Sequence, residues 1–499
     1  MAVVEGMTEV SPHLSGTYDV IVTGGGMIGM MTAWKLSRYH LKILVIDRAY
    51  DIGEGAAKAN SGILYPGFQP RERSLKGISC VQGNAMYDDI CRDLDIPMKR
   101  VGSLYVVFHD EGEEEMMKKY NRGMANGTPG MEILSGAEAR RMEPLLSKKV
   151  KKALWAPNTA VISPFSLIVA LAEAAAQNGV EFLFECEAQD IALPEAGSGD
   201  PVYLTTSKGM LSCRFIVNAG GGDADRLESC VRKQNLVIRP RRGQFYIFDK
   251  QEKTELRHVI YQAQETDEGG TLIAPTVEGN IIAGPTSENV SSFRNTDTTR
   301  EGLAHVERVA RKILPELDMG KVITNFAGIR ANITNVEKEK KDFVLRISGP
   351  KMVSALGIKN PGMTSAPYLA DRIIQLLREE GLETEERSDF QPRLRREKPF
   401  LQSSPQRQQE LLRQDPRYAR VICRCEQITE GDIIRVLHSP LPPRSLNGFK
   451  KRLRTGMGRC QGAFCTSRIL EIVCRETGCR PEEFLKSTKG SPLVKGRLK

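Results

Sequence analysis

Two cysteine pairs near the C-terminus carry the strongest chemical signal in this chain. Cys423-x-Cys425 lies in the phrase ICRCEQIT, and Cys460-x4-Cys465 follows in GMGRCQGAFC. Four thiolates in two tight local pairs suit a tetrahedral zinc ion or an iron–sulfur cluster. A disulfide framework is the weaker reading, because the other cysteines, at positions 80, 91, 186, 213, 230, 474 and 479, are scattered through apolar or helical stretches. Cys474 and Cys479 repeat the x4 spacing and make a rival set with Cys460 and Cys465, but their place on a continuing helix (SRILEIVCRETGC) favours ordinary buried thiols.

A second constellation stands at the other end. The apolar run Tyr18–Thr23 leads into Gly24-Gly25-Gly26-Met27-Ile28-Gly29, a helix follows to about Arg38, and a strand over 42–46 ends at Asp47-Arg48. This is a βαβ opening with its turn glycines in place. Gly24 makes the tight turn, Gly26 lets backbone approach a diphosphate, and Gly29 permits helix–strand packing. The helix N-terminus presents its positive end to that diphosphate, and Asp47 is placed to accept hydrogen bonds from ribose hydroxyls. FAD is favoured over NAD. The motif begins the fold, a later strand ends in the small residues Asn218-Ala219-Gly220-Gly221, and the turn Gly357-Ile358-Lys359-Asn360-Pro361-Gly362-Met363-Thr364 opens another helix. The N-terminus of that last helix suits the electron-rich edge of a flavin.

These elements must be arranged to bring the two constellations into one molecule. Residues 1–16 read as a disordered leader. Ser163-Pro164 is a strong helix start, and the Ala-rich helix over 164–178 precedes strands at 180–184, 202–206 and 211–217. From 240 to 290 the pattern alternates, with a hairpin in TLIAPTVEGNIIAG, which predicts antiparallel sheet. A helix over 298–314 and strands at 322–327, 343–347 and 352–356 lead back to a glycine turn and helix ending near 377. The expected fold is α/β: a Rossmann-type FAD-binding domain with an inserted antiparallel-sheet substrate domain, plus a small α-rich C-terminal iron–sulfur module. The oxidoreductase spans 17–382, its substrate domain mainly 80–155 and 230–345; 383–419 is a linker, 420–485 the cysteine module and 486–499 a basic tail.

Seven ordered segments, GGGMIG, NSGILYPG, GSLYVVF, VNAGGGDADRL, RRGQFY, FAGIRAN and GIKNPGMTSAPYLAD, resemble the glycine-oxidase/D-amino-acid-oxidase-type flavoprotein superfamily. Within it they resemble the branch of anaerobic glycerol-3-phosphate and L-2-hydroxyglutarate dehydrogenases. ICRCE and GMGRCQGAFC resemble the bacterioferritin-associated-ferredoxin-like [2Fe-2S] domain fused to such enzymes. The resemblance implies FAD and a [2Fe-2S] cluster held by Cys423, Cys425, Cys460 and Cys465. It implies that Asn60-Ser61-Gly62 passes near the flavin ring and that Arg330 grips a substrate anion. A guanidinium fork suits carboxylate and phosphate equally. The chain departs from the pattern at Tyr65, where relatives in this branch commonly carry histidine as the base; a phenol titrates near ~10 and is a poorer base. An amine substrate therefore stays open beside an anionic alcohol, and His258 is a second, lone candidate for the base.

The chain has 499 residues, enough for two or three domains, with 40% hydrophobic and 27% charged residues. No apolar run reaches the ~20 residues of a spanning helix, and the N-terminus lacks a secretory pattern. Eleven cysteines without that pattern indicate a reducing cytoplasm. The net charge of +9 gathers in 387–420 and 450–454 without a nucleic-acid motif, so no nucleic-acid partner is expected. The reading is an FAD-dependent dehydrogenase of a small anionic alcohol, passing electrons through [2Fe-2S] to an external acceptor protein or partner subunit. Its rivals are an amine or amino-acid dehydrogenase or oxidase, and a non-catalytic electron-transfer subunit.

Overall fold

The computed structural model describes residues 16–233, 236–250, 256–262, 270–335 and 342–496; the expected leader lies almost entirely outside them. Tyr18–Thr23 is the buried central strand of an eight-stranded sheet. It pairs in parallel with Gly209–Asn218 on one side and Ile43–Asp47 on the other. Glu181–Phe184 extends the parallel set beyond Ile43–Asp47, and Met352–Leu356 extends it beyond Asn218. Parallel strands covered on both faces read as continuous apolar runs, which is why YDVIVT and ILVID carry no alternation.

Two helices cover one another beside this sheet, Met27–Leu36 and Gly362–Glu379, and a third, Leu75–Asp93, packs on the latter. Residues 80–93, expected in the substrate domain, belong to that third helix. Its contact is close: a Cβ on Gly83 would stand 2.1 Å from the Thr364 carbonyl. Pro367 lies inside Gly362–Glu379 and has no N–H for the Met363 carbonyl; the Tyr87 hydroxyl donates to that oxygen instead, at 2.5 Å. The predicted start at Ser163-Pro164 is present: the Ser163 hydroxyl accepts from the Ser166 N–H, with proline in the first turn of Pro164–Gln177.

The inserted domain is a nine-stranded sheet in which the hairpin of Leu272–Pro275 and Ile281–Gly284 appears as expected. One pair departs from the antiparallel expectation: Val259–Gln262 runs parallel to Ser103–Val107, joined to it across the chain rather than by a turn. The longest ladder joins Leu236–Phe248 to Val322–Asn335.

The expected linker is not a free tether. It carries a helix, Pro405–Gln414, and is tied to the flavin domain through Leu394 N–H to Asp93 O, Gln391 N–H to Asn178 Oδ1 and Arg396 to Glu173. The cysteine module then docks through a buried ion network. Arg452 and Lys451, on helix Leu446–Leu453, reach Asp51 at 2.8 and 3.1 Å, and Lys451 reaches Glu54 at 2.6 Å. All four side chains are nearly inaccessible to solvent, at 1–6% exposed.

Candidate active site and iron–sulfur centre

The glycine turn is shaped for a nucleotide. Gly24 has φ +106°, and a Cβ there would lie 2.4 Å from the Ala219 carbonyl, so the turn and Ala219-Gly220 pass backbone to backbone. A Cβ on Gly29 would stand 1.9 Å from the Gly24 carbonyl. Gly26 differs: a Cβ there meets nothing within 4 Å. It caps Met27–Leu36 without a side-chain hydrogen bond, so the first N–H groups of the helix face open space of the kind a diphosphate fills. Ile28 is buried in the core and Met27 packs against it, so both offer only backbone to a ligand. Asp47 accepts the N–H groups of Gly25 (2.6 Å) and Ala49 (2.7 Å), and burial raises its carboxyl above the usual range. It therefore braces the glycine turn. Arg48 turns outward to Asp223 at 2.9 Å, beside the turn formed by Gly221.

At the other end of the cradle, the Asn60 side chain accepts the Gly62 N–H, and Gly62 has φ +74° where a Cβ would strike the Ile162 carbonyl. Gly357, at φ +64°, packs on Ile333. The Gly362–Glu379 helix begins without a side-chain cap. Met363 is buried in the core, and the Thr364 hydroxyl accepts the Tyr65 N–H at 3.0 Å, stitching the segment around 60–67 to the late glycine turn. Burial pushes the Tyr65 phenol up, against the opposing influence of Ser61, Asn360 and Arg330. A phenol so placed is neutral at physiological pH. In that form it donates or accepts a hydrogen bond.

Arg330 sits in Val322–Asn335 directly opposite Arg241 of the neighbouring strand. Its Nη2 donates to the Thr286 carbonyl at 2.7 Å and the Arg242 carbonyl at 3.2 Å, while its Nε is buried with no partner. Burial, then the Arg241 charge, lowers its pKa to about 10. No carboxylate is paired with Arg330 among the described residues. A part-buried cation with a buried, orphaned donor is costly unless an anion completes it. Two glycines make the placement possible: a Cβ on Gly243 would lie 3.1 Å from Arg330 Nη2, and one on Gly328 would lie 2.8 Å from Ala59 Cβ. Arg241, whose Nε donates to Ser287, is the residue that sequence reasoning missed. Its signal was the pairing of RRGQFY with FAGIRAN, which becomes visible only once the register is known. His258 is held by the Val101 carbonyl and lies edge-on to Trp155, a bracing role.

The four predicted thiols come together as two pairs. Cys425 Sγ stands 3.6 Å from Cys460 Sγ, and the Cys465 thiol hydrogen-bonds Cys423, pulling it down to about 6 while Cys465 itself is pushed up. Backbone N–H groups of Glu426 and Gly456 point at the Cys423 sulfur, and that of Gly462 points at Cys460. Four thiols gathered as two adjoining pairs fit two iron atoms, each taking two thiolates. Cys423 and Cys465 are sealed in the module core, whereas Cys425 and Cys460 are part-exposed. Cys474 and Cys479 lie 3.7 Å from each other rather than joining Cys460 and Cys465.

The glycine cradle, the stitched ring segment and the paired thiols together define a flavin- and iron–sulfur-dependent oxidoreductase. The chain belongs to the FAD dependent oxidoreductase family, matched over residues 19–376, followed by a BFD-like [2Fe-2S] binding domain over residues 421–475, and it binds both cofactors. It is 36% identical over 484 residues to a glycerol 3-phosphate dehydrogenase of Caloramator mitchellensis, covering 97% of this chain and 99% of the relative. A glycerol 3-phosphate oxidase of Mycoplasma genitalium is 27% identical over 72% of this chain and 94% of its own length. The fold is that of the L-alpha-glycerophosphate oxidase of Mycoplasma pneumoniae, with a TM-score of 0.71 at 24% identity, covering 77% of this chain and all of that one. Glycine oxidase of Geobacillus kaustophilus has the same fold, with a TM-score of 0.65 at 20% identity over 77% of this chain and 100% of that one.

Proposed function

We propose that this enzyme oxidises the secondary hydroxyl of glycerol 3-phosphate, with Arg330 as the residue that holds the phosphate. The observation that carries this is the part-buried guanidinium with a buried, unpartnered Nε beside Arg241: two cations on one face of a sheet, with no carboxylate paired to either among the described residues. Such a site suits a dianion better than a monocarboxylate, because two guanidiniums in a low-dielectric wall repel one another until two negative charges arrive. Similarity to dehydrogenase and oxidase relatives named for this substrate supports the reading.

When bound, FAD takes up two electrons from the substrate and the [2Fe-2S] cluster passes them on singly. The chain's own residues supply the rest. Gly24, Gly26 and the first N–H groups of Met27–Leu36 hold the diphosphate, Asp47 the ribose, and Ala219, Gly220 and Gly221 the adenosine side. Asn60, Ser61, Gly62, Gly357, Asn360 and Gly362 line the ring end. Cys423, Cys425, Cys460 and Cys465 hold the iron. Arg330 fixes the anion, so that the carbon to be oxidised is positioned by a two-point grip. Tyr65, neutral and anchored through Thr364, orients the substrate hydroxyl, and the proton that hydroxyl loses as its carbon is oxidised passes to water. Electrons leave to a soluble acceptor in the cytoplasm, a compartment in keeping with eleven unbridged cysteines. No helix among the described residues is long and apolar enough to cross a membrane.

The test is anaerobic bleaching of the flavin by glycerol 3-phosphate, L-2-hydroxyglutarate, glycine and proline in parallel. Bleaching by glycerol 3-phosphate alone, or at least tenfold faster than by the others, is expected. Faster bleaching by an amino acid overturns the proposal and returns the amine reading.

A further inference from the structure

Resting on the proposed electron path, we infer that the loops enclosing the cysteine centre form a docking face for an acidic one-electron carrier protein. The argument begins with Phe464. It lies between the ligands Cys460 and Cys465 and is 70% exposed, more than any other large hydrophobic side chain among the described residues. A phenylalanine left in water at such a position gains nothing for folding, and exposed aromatics at the centre of a patch are what a partner buries.

Two arginines beside it carry charge that nothing among the described residues neutralises by an ion pair. Arg424, between the other two ligands Cys423 and Cys425, is exposed and in no ion pair among the described residues. Arg468 follows Phe464 by one helical turn on Thr466–Thr477 and is likewise in no ion pair. Two carboxylates bordering the ligand loops are already engaged: Glu426 by Arg454 at 3.1 Å and Lys250 at 3.4 Å, and Asp249 by Arg459 at 2.7 Å. Glu471, the exposed acid one turn beyond Arg468 on the same helix, is the one counter-charge on this face, in no ion pair among the described residues. The centre itself is asymmetric, since the Cys423–Cys465 side faces the module core while Cys425 and Cys460 reach the surface. Exit is therefore shortest where the aromatic and the arginines stand. A rim of unpaired cations around one apolar contact steers and seats an acidic protein, and does so with an ionic-strength dependence. In each docking event one electron leaves the reduced module and enters the oxidised centre of the carrier; two such events follow each substrate molecule oxidised.

The experiment uses the holoprotein and a purified acidic ferredoxin as the probe. Binding of the two oxidised proteins is measured by calorimetry at low and high salt. Electron transfer is measured by stopped flow from protein reduced beforehand with dithionite, which needs no substrate. Expected are binding that weakens at least tenfold between low and high salt, and a second-order transfer rate that falls with it. Arg424→Glu and Phe464→Ala should each lower both by tenfold or more. Their flavin and cluster absorption, and dye reduction taken directly from flavin, should be unchanged. Equal transfer by wild type and both variants, or equally tight and salt-sensitive binding of a basic cytochrome, overturns the inference. So does reduction of quinone in neutral lipid vesicles that outpaces ferredoxin and depends equally on Phe464. Failure of glycerol 3-phosphate to bleach the flavin, with the dithionite arm intact, would overturn only the substrate.

Discussion

Arg330 is held by two carbonyls and left one donor short, so its substitution separates grip from charge. Arg330→Lys should keep flavin and cluster spectra and lower kcat/KM by roughly ten- to 150-fold, the loss of one charged hydrogen bond of about 1.5–3 kcal/mol. Arg330→Ala should cost more, and steady-state kinetics on glycerol 3-phosphate check both; rates within twofold of wild type would place the anion elsewhere. Tyr65→Phe should lower kcat several-fold at every pH without moving the limbs of the pH–rate profile, because burial keeps the phenol protonated throughout the working range. A limb that vanishes in this variant would make Tyr65 the base after all. At this scale the sequence singled out residues by their chemistry, the four cysteines, Arg330 and Tyr65, and the structure pairs the cysteines and gives Arg330 an orphaned Nε. The sequence was silent on Arg241 and on the carbonyls of Arg242 and Thr286, because a register between strands about ninety residues apart leaves no local trace.

The turn between Tyr18–Thr23 and Met27–Leu36 has glycines with different duties. Gly26→Val should yield a folded protein without FAD, since its side chain would enter only the open cradle. Gly29→Val should lose the fold as well, because that side chain runs into the Gly24 carbonyl. Flavin content and circular dichroism together distinguish the two outcomes, and a Gly26 variant with full flavin would move the nucleotide elsewhere. In the cysteine module, Cys425→Ser or Cys460→Ser should remove iron and the visible cluster absorption while leaving FAD in place; unchanged iron, or zinc in its stead, would refute the ligand set. Helix starts and apolar strands were legible here because caps and periodicity are local. The helices Leu75–Asp93 and Pro405–Gln414 were not, since the former is polar over much of its surface and earns its place through Gly83 and Tyr87 against a distant helix. The parallel pairing of Val259–Gln262 with Ser103–Val107 is likewise a tertiary choice that alternation cannot encode.

Across the whole molecule, the cysteine module is bolted to the flavin domain through Asp51. Burial works to raise its carboxyl, but Arg452 and Lys451 hold it down to about 2. A folded-state pKa below the ordinary carboxylate value means that Asp51 contributes its full share of stability above about pH 4 and loses it as pH falls toward 2. Asp51→Ala leaves the buried Arg452 without its carboxylate, Lys451 keeping Glu54, and should destabilise by about 3–5 kcal/mol, read by chemical denaturation at neutral pH; a change under 1 kcal/mol would mean water already reaches the network. None of this dock was legible beforehand, because its partners are four hundred residues apart and KKRLR reads as a solvated basic run. The uneven burial of the two thiol pairs also has a consequence for biogenesis. A donor that delivers a preassembled cluster meets Cys425 and Cys460 at the surface, whereas Cys423 and Cys465 are enclosed by Ile422, Ile428 and Ile469. A cluster arriving from outside thus meets one thiol pair before the other, and the second pair is reached only when those isoleucines give way.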